Sequence, residues 1–161
     1  MTESALSLGS NVGDRLRNIR RAVELIALRV GDVTRRSCVY ETPPWGVTSQ
    51  PGFLNACVLV DTELRPAELL SELKRIESEV GRVPRERWGP REIDIDILTC
   101  GGELLSSGEL EIPHPRMAER AFVLVPLRDA APGWRHPESG LSIDGMLRGV
   151  DTSGIARVAR L

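Results

Sequence analysis

Ile93-Asp94-Ile95-Asp96-Ile97 alternates apolar and acidic residues with a period of two. That period places the three isoleucines on one face of a β-strand and both aspartates on the other. The strand reads as Ile93 to Thr99, the clearest in the chain. Its isoleucine face can pack on helices, so its aspartate face must lie open or hold a cation. Carboxylates two residues apart on a strand lie about 6–7 Å from each other and repel. A divalent ion removes the repulsion. Magnesium takes few carboxylates and completes its shell with water and phosphate oxygens, so a two-aspartate shelf suits a nucleotide complex. A bare Asp-x-Asp is more often simply the solvent face of an ordinary half-exposed strand, and the neighbours have to decide.

Immediately upstream, Arg82-Val83-Pro84-Arg85-Glu86-Arg87-Trp88-Gly89-Pro90-Arg91 carries four arginines in ten residues, within a chain of formal net charge −2. Guanidinium forks match phosphate oxygens, and phosphoryl transfer requires such charge around a loose transferring group. Downstream, Pro113-His114-Pro115 fixes a histidine on a rigid loop, where it can donate to a phosphate or to a leaving-group oxygen. Arg120 follows closely. Glu77, near the end of the preceding helix, reads from the residues alone as an exposed carboxylate. Aromatic residues are only 4% of the chain, and Trp45, Phe53, Trp88 and Phe122 all fall in or beside these loops. Flat rings can sandwich a flat heterocycle, and Asn55, on the same strand face as Phe53, can read its edge. Phe53 and Phe122 fit a core position as well as a stacking one.

Outward from these motifs the elements follow one another simply. Ala5–Leu8 reads as a strand ending in Gly9-Ser10-Asn11, and Asp14–Val30 as a helix with Gly31 at its C′ position. Val33–Tyr40 and Phe53–Thr62 read as strands, separated by the Pro43-Pro44 loop. Pro66 opens a helix with an apolar stripe from Leu69 to Val80, closed by Gly81. A short strand is expected around Glu103–Leu105, a helix over Phe122–Ala130, and a helical turn near Ile143–Leu147 in an otherwise weakly patterned tail. The order is that of an α+β, ferredoxin-like split βαβ sandwich: a mostly antiparallel sheet with helices on one face, plus C-terminal additions. The 161 residues read as a single domain. Three scattered cysteines point to reduced thiols rather than a disulfide framework or a metal site. No secretory signal or membrane span is visible, so the expected location is the cytoplasm.

Arg87-Trp88-Gly89-Pro90-Arg91-Glu92-Ile93-Asp94-Ile95-Asp96-Ile97-Leu98 resembles the signature of the 6-hydroxymethyl-7,8-dihydropterin pyrophosphokinase family of folate synthesis. Leu8-Gly9-Ser10-Asn11, Tyr40-Glu41-Thr42-Pro43-Pro44, Gln50 to Ala56, and Pro113-His114-Pro115 with Arg120 to Leu127 resemble its other segments. The resemblance spans roughly residues 4–132 and leaves 133–161 unassigned. It implies transfer of the β,γ-diphosphate of ATP to the pterin hydroxymethyl oxygen with release of AMP, on an enzyme that uses two magnesium ions. By matching position, Asp94 and Asp96 would bind the ions. Arg82, Arg91, His114 and Arg120 would serve catalysis. Glu77, Arg87, Arg91, Ile97, His114 and Arg120 would meet ATP. Thr42, Pro43, Trp45, Phe53, Asn55, Asp94 and Phe122 would form the pterin site. The loops at 43–52 and 82–91 would close over the substrates, with either Arg85 or Arg87 as the mobile arginine. The family resemblance suggests a monomer. Two other readings share the residues: a metal-dependent nucleotidyl- or glycosyltransferase on the same Asp-x-Asp shelf, and a non-catalytic RNA-binding module. Negative net charge and the lack of adjacent exposed aromatics weigh against nucleic acid.

Overall fold

The computed structural model of the protein describes residues 1–42, 49, 51–87 and 89–161. Its first part runs β1 (Thr2–Ser10), α1 (Arg15–Arg29), β2 (Gly31–Arg36), β3 (Cys38–Thr42), β4 (Phe53–Thr62), α2 (Pro66–Val80) and β5 (Asp94–Cys100). The second part adds a hairpin of β6 (Leu105–Ser106) and β7 (Glu111–Ile112), a 3₁₀ turn (Met117–Glu119), α3 (Ala121–Ala130), α4 (Ile143–Leu147) and β8 (Ala156–Arg160). The main sheet has the order β5-β1-β4-β3-β8, with β2 also on β4. Every pairing is antiparallel. This is the expected ferredoxin-like arrangement.

The expected strand over Val33–Tyr40 is two strands that share one edge of β4. The break falls at Ser37. Its N–H donates to the Cys57 carbonyl at 2.9 Å, and its hydroxyl accepts the Cys57 N–H at 2.9 Å. A side chain replaces the backbone acceptor there, so the ladder restarts out of phase. The α1 boundaries match the sequence reading because Asp14 accepts the Arg17 N–H at 3.1 Å and caps the first turn. Gly31 differs from expectation. It has no left-handed backbone and opens β2 instead. A Cβ on it would lie 2.0 Å from the Asp61 carbonyl oxygen, so close backbone approach to β4, not a helix stop, demands glycine. Gly81 does end α2 with φ 124°, donating its N–H to the Glu77 carbonyl at 3.2 Å.

Alternate residues of the strands feed two cores. Leu6, Leu8, Ala56, Val58, Val60, Ile95 and Ile97 pack beneath α1 and α2. Ala5, Cys57, Leu59 and Leu98 face the other way, against Val123, Leu124 and Leu127 of α3 and Ile143 and Met146 of α4. The β1–β5 register passes from Leu6↔Ile97 to Ala5↔Thr99, which makes Leu98 the extra residue of a bulge. Thus α1 and α2 take one face, as read, and the C-terminal additions take part of the other. The hairpin partner of Leu105–Ser106 and the strand β8 were not foreseen. β8 reads Ala156-Arg157-Val158-Ala159-Arg160, with no clean apolar alternation, and is placed by pairing with Cys38–Glu41. Among the described residues no helix is long and apolar enough to cross a membrane.

Gly31→Ala is expected to cost at least about 2 kcal/mol, the middle of the range for overpacking a tight contact. Equilibrium urea unfolding checks it; a loss under about 0.5 kcal/mol would show that the β2–β4 gap opens freely.

Candidate active site

α3 covers only one end of the second sheet face. At the other end, Ser7, Gly9, Thr42, Phe53, Asn55, Gly89, Arg91, Asp94, Asp96, Arg120 and Phe122 line a cleft. Register explains the grouping. Gly9 pairs with both Asp94 and Asn55, and Ser7 with both Asp96 and Cys57, so one face of three neighbouring strands presents the carboxylates, the small residues and the amide in rows. Ile97 lies on the opposite face with its side chain in the first core. Any part it plays in binding falls to its backbone on the sheet's edge strand.

Asp94 is held by two guanidinium groups, Arg91 Nη1 at 3.0 Å and Arg82 Nη1 at 3.1 Å from Oδ1. Arg82 Nη1 also donates to Glu77 Oε2 at 2.8 Å. Glu77 is not the exposed helix carboxylate that the sequence suggests. It is 8% exposed, and the same oxygen accepts the Ile95 N–H at 2.8 Å. Because β5 is an edge strand, the end of α2 can lay a carboxylate against it. Burial, then the neighbouring Asp94 charge, raises the Glu77 pKa, while the Ile95 N–H and Arg82 counteract this.

Asp96 has more distant neighbours: Arg120 Nη1 at 3.9 Å and His114 Nε2 at 4.0 Å from Oδ2. Desolvation, followed by repulsion from Asp94, pushes its carboxyl well above the usual range. His114 Nδ1 accepts the Arg116 N–H at 3.2 Å, which leaves Nε2 to carry the proton of the neutral ring toward Asp96. Burial, then Arg120, lowers the His114 pKa to about 4, so the ring is a neutral N–H donor at physiological pH. Of the remaining loop arginines, Arg85 folds back onto Glu92 and Arg87 lies on an exposed turn.

The aromatic side of the cleft is equally specific. Phe53 and Phe122 are half-buried and face the cleft, which decides for them against a purely core role. The Arg120 guanidinium lies 5.6 Å from the Phe122 ring centre. Asn55 Nδ2 donates to Thr42 Oγ1 at 2.7 Å, which fixes the amide with Oδ1 toward Gly9. A Cβ on Gly9 would come 3.0 Å from that oxygen and 3.5 Å from the Phe53 ring. Ser7 and Gly9 were missed as site residues. Their only signal was the turn-like run Leu8-Gly9-Ser10-Asn11, whereas the strand carries on through Ser10. Pro43 and Trp45 lie outside the described residues, as do Trp88 and positions 44, 46–48 and 50 of the 43–52 loop. Among the described residues no group of three or more His, Cys, Asp or Glu side chains could hold a metal. A cation on Asp94 and Asp96 would therefore draw its other ligands from water and substrate. That fits magnesium, a hard ion that keeps waters and takes phosphate oxygens.

The sequence profile of the 7,8-dihydro-6-hydroxymethylpterin-pyrophosphokinase (HPPK) family matches residues 5–132. A 2-amino-4-hydroxy-6-hydroxymethyldihydropteridine pyrophosphokinase from Methylorubrum extorquens is 48% identical over 98% of this chain and 99% of its own length. A mitochondrial folate synthesis bifunctional protein of Arabidopsis thaliana is 52% identical over 79% of this chain, but that match spans only 23% of the plant protein. Crystalline Plasmodium falciparum HPPK-DHPS has the same fold, with a TM-score of 0.73 at 16% identity over 92% of this chain and 43% of that one.

Glu77→Ala would leave the Ile95 N–H and the Arg82 guanidinium without their shared partner. It is expected to lower stability by about 2–4 kcal/mol in urea unfolding, against about 1–2 for Glu77→Gln. A loss under about 1 kcal/mol for the alanine variant would show that the carboxylate is not structural.

Proposed function

The chain belongs to the 7,8-dihydro-6-hydroxymethylpterin-pyrophosphokinase family, and we propose that the cleft on the second sheet face is where it performs that family's reaction. The chain is an ATP-dependent diphosphotransferase of folate biosynthesis: it transfers the β,γ-diphosphate of ATP to the hydroxymethyl group of 6-hydroxymethyl-7,8-dihydropterin and releases AMP. The observation that supports this site is the single strand face on which Asp94 and Asp96 adjoin the Phe53–Asn55–Phe122 pocket. Acceptor and phosphate sites share one cleft, as a direct transfer without a covalent enzyme intermediate requires.

Phe53 and Phe122 flank the pterin ring. Asn55, held through Nδ2 by Thr42, presents Oδ1 to the donor groups of the ring edge. Asp94 and Asp96 would hold two magnesium ions. Bound magnesium supplies charge neutralisation and Lewis-acid polarisation of phosphate oxygens. Arg91 and Arg82 exchange part of their hold on Asp94 for triphosphate oxygens. His114 donates through Nε2–H, and Arg120 faces the same oxygens from the start of α3. The hydroxymethyl oxygen attacks the β-phosphorus in line and the bond to the α-phosphate oxygen breaks. A loose transition state needs little proton removal in advance, which accords with the absence of a general base from the assigned roles. Ile97 contributes backbone only, and Arg87 is the loop arginine assigned to ATP.

The protein acts as a single pyrophosphokinase domain, a cytoplasmic monomer that binds neither nucleic acid nor membrane. Among the described residues its exposed large apolar side chains, such as Leu28, Leu104 and Val158, belong to different segments of the chain.

Incubation with ATP, magnesium and the reduced hydroxymethyl pterin is expected to release AMP in step with pterin diphosphate. Release of pyrophosphate would indicate nucleotidyl transfer and overturn the reading. Asp96→Ala is expected to fold and to lose more than about 100-fold in turnover, beyond the range for loss of a second-shell metal partner; near-normal turnover would overturn the metal assignment. Gly9→Ala is expected to raise KM for the pterin severalfold and leave KM for ATP unchanged, because its Cβ would press on Asn55 Oδ1; steady-state kinetics with each substrate varied in turn check this.

A further inference from the structure

Asn11, just past the end of β1, is 1% exposed and has been given no role in the transfer. Its N–H donates to the Arg91 carbonyl at 3.0 Å, and its Oδ1 accepts the Arg91 N–H at 2.8 Å. The side-chain oxygen thus acts as a second backbone carbonyl and closes a two-bond clamp on Arg91. The same amide donates through Nδ2 to the Pro51 carbonyl at 2.9 Å. Arg91 carries a guanidinium on Asp94, and Pro51 lies two residues before Phe53. One planar group therefore spans the phosphate wall and the aromatic wall of the cleft.

The surroundings hold that amide in place. Asn18 Nδ2 donates to the Val12 carbonyl at 3.0 Å and fixes the turn that follows Asn11. Arg15 Nη1 donates to the Gly52 carbonyl at 3.0 Å, next to Pro51, and to Glu41 Oε2 at 2.8 Å. The job at position 11 needs an acceptor and a donor on one short side chain. Aspartate supplies the acceptor alone and would set lone pairs against the Pro51 carbonyl.

We propose that Asn11 is a positioning residue that couples the two substrate sites: nucleotide bound against Arg91 steadies the backbone at Pro51, and so the wall that holds the acceptor, through the Asn11 amide. This rests on the reading that Arg91 faces the triphosphate and Phe53 the pterin. Coupling of this kind is reciprocal and appears as a ratio of affinities. A continuous hydrogen-bonded path of three residues is the physical means of carrying it.

Wild type, Asn11→Asp and Asn11→Ala are compared by AMP release, by urea unfolding, and by calorimetric affinity for the reduced hydroxymethyl pterin with and without magnesium and a non-hydrolysable ATP analogue. In the wild type the analogue is expected to tighten pterin binding by at least about fivefold, the lower end of ordinary coupling. In both variants that ratio is expected to fall to about one. Asn11→Asp, which keeps the acceptor for Arg91, is expected to retain wild-type affinity for the analogue alone, a split that general destabilisation would not produce. A folded variant that keeps the wild-type ratio, or a wild-type ratio of one, overturns the coupling while the activity stands. Failure of both variants to fold makes Asn11 a stability element and overturns the positioning role. Absence of AMP release by the wild type overturns the activity itself, and this inference with it.

Discussion

Repulsion between Asp94 and Asp96 is the condition that the surrounding structure answers. At the 6–7 Å set by strand geometry, two full charges oppose each other by about 2–3 kcal/mol at an effective dielectric near 20. Glu77 adds a third carboxylate close behind them. Each is met differently. Asp94 takes two guanidinium groups, Glu77 takes a peptide N–H and one of the same guanidiniums, and Asp96 has the Arg120 guanidinium and the neutral His114 ring near 4 Å. Negative charge is therefore least compensated at Asp96, on the side of the cleft where His114 and Arg120 converge. A phosphate-bound cation completes this balance, whereas an apolar ligand would leave it unmet.

The sheet makes room for so much charge by dividing one face between two environments. β1, β4 and β5 all run from core to cleft along their length, and the same period-two alternation serves both. Ala5, Cys57 and Leu98 meet α3, whereas Ser7, Gly9, Asn55 and the aspartates lie beyond its N-terminal end. Arg120 marks the boundary, since its backbone begins α3 and its guanidinium reaches over Phe122.

Much of this was legible in the residues. Period-two alternation located β5 and part of β1, and Asp14, Pro66 and Gly81 bounded the helices through capping chemistry that is local to the chain. The Asp94–Asp96 shelf, the arginine loop and the aromatic pair were legible for the same reason: each is a short-range pattern. What escaped was decided by distant partners. Gly31 reads as a helix stop until the Asp61 carbonyl is seen pressed against it. Ser37 reads as mid-strand until its hydroxyl takes the Cys57 N–H. Glu77 reads as exposed because its partner, the Ile95 N–H, belongs to a strand edge that only the tertiary fold creates. Ser7 and Gly9 lack chemistry of their own and matter through the side chains beside them. Ile97 matched by position, but its side chain belongs to the opposite face.

The pairing of β8 with β3 has a consequence for how the molecule comes into being. Cys38 meets Arg160, and Arg20 Nη2 donates to the Arg160 carbonyl at 2.9 Å. α3 reaches the same strand from the other direction, where Asp129 Oδ2 accepts the Cys38 N–H at 2.6 Å and the Tyr40 hydroxyl at 3.1 Å. β3 leads directly into Thr42 and the acceptor pocket. During synthesis β1 to β5 emerge first and can pair among themselves, but β3 keeps a bare outer edge until the last of these residues has left the ribosome. A nascent chain halted before residue 156 would hold the aspartate shelf intact beside an unsupported ring-binding wall, and would offer that open edge to other strands.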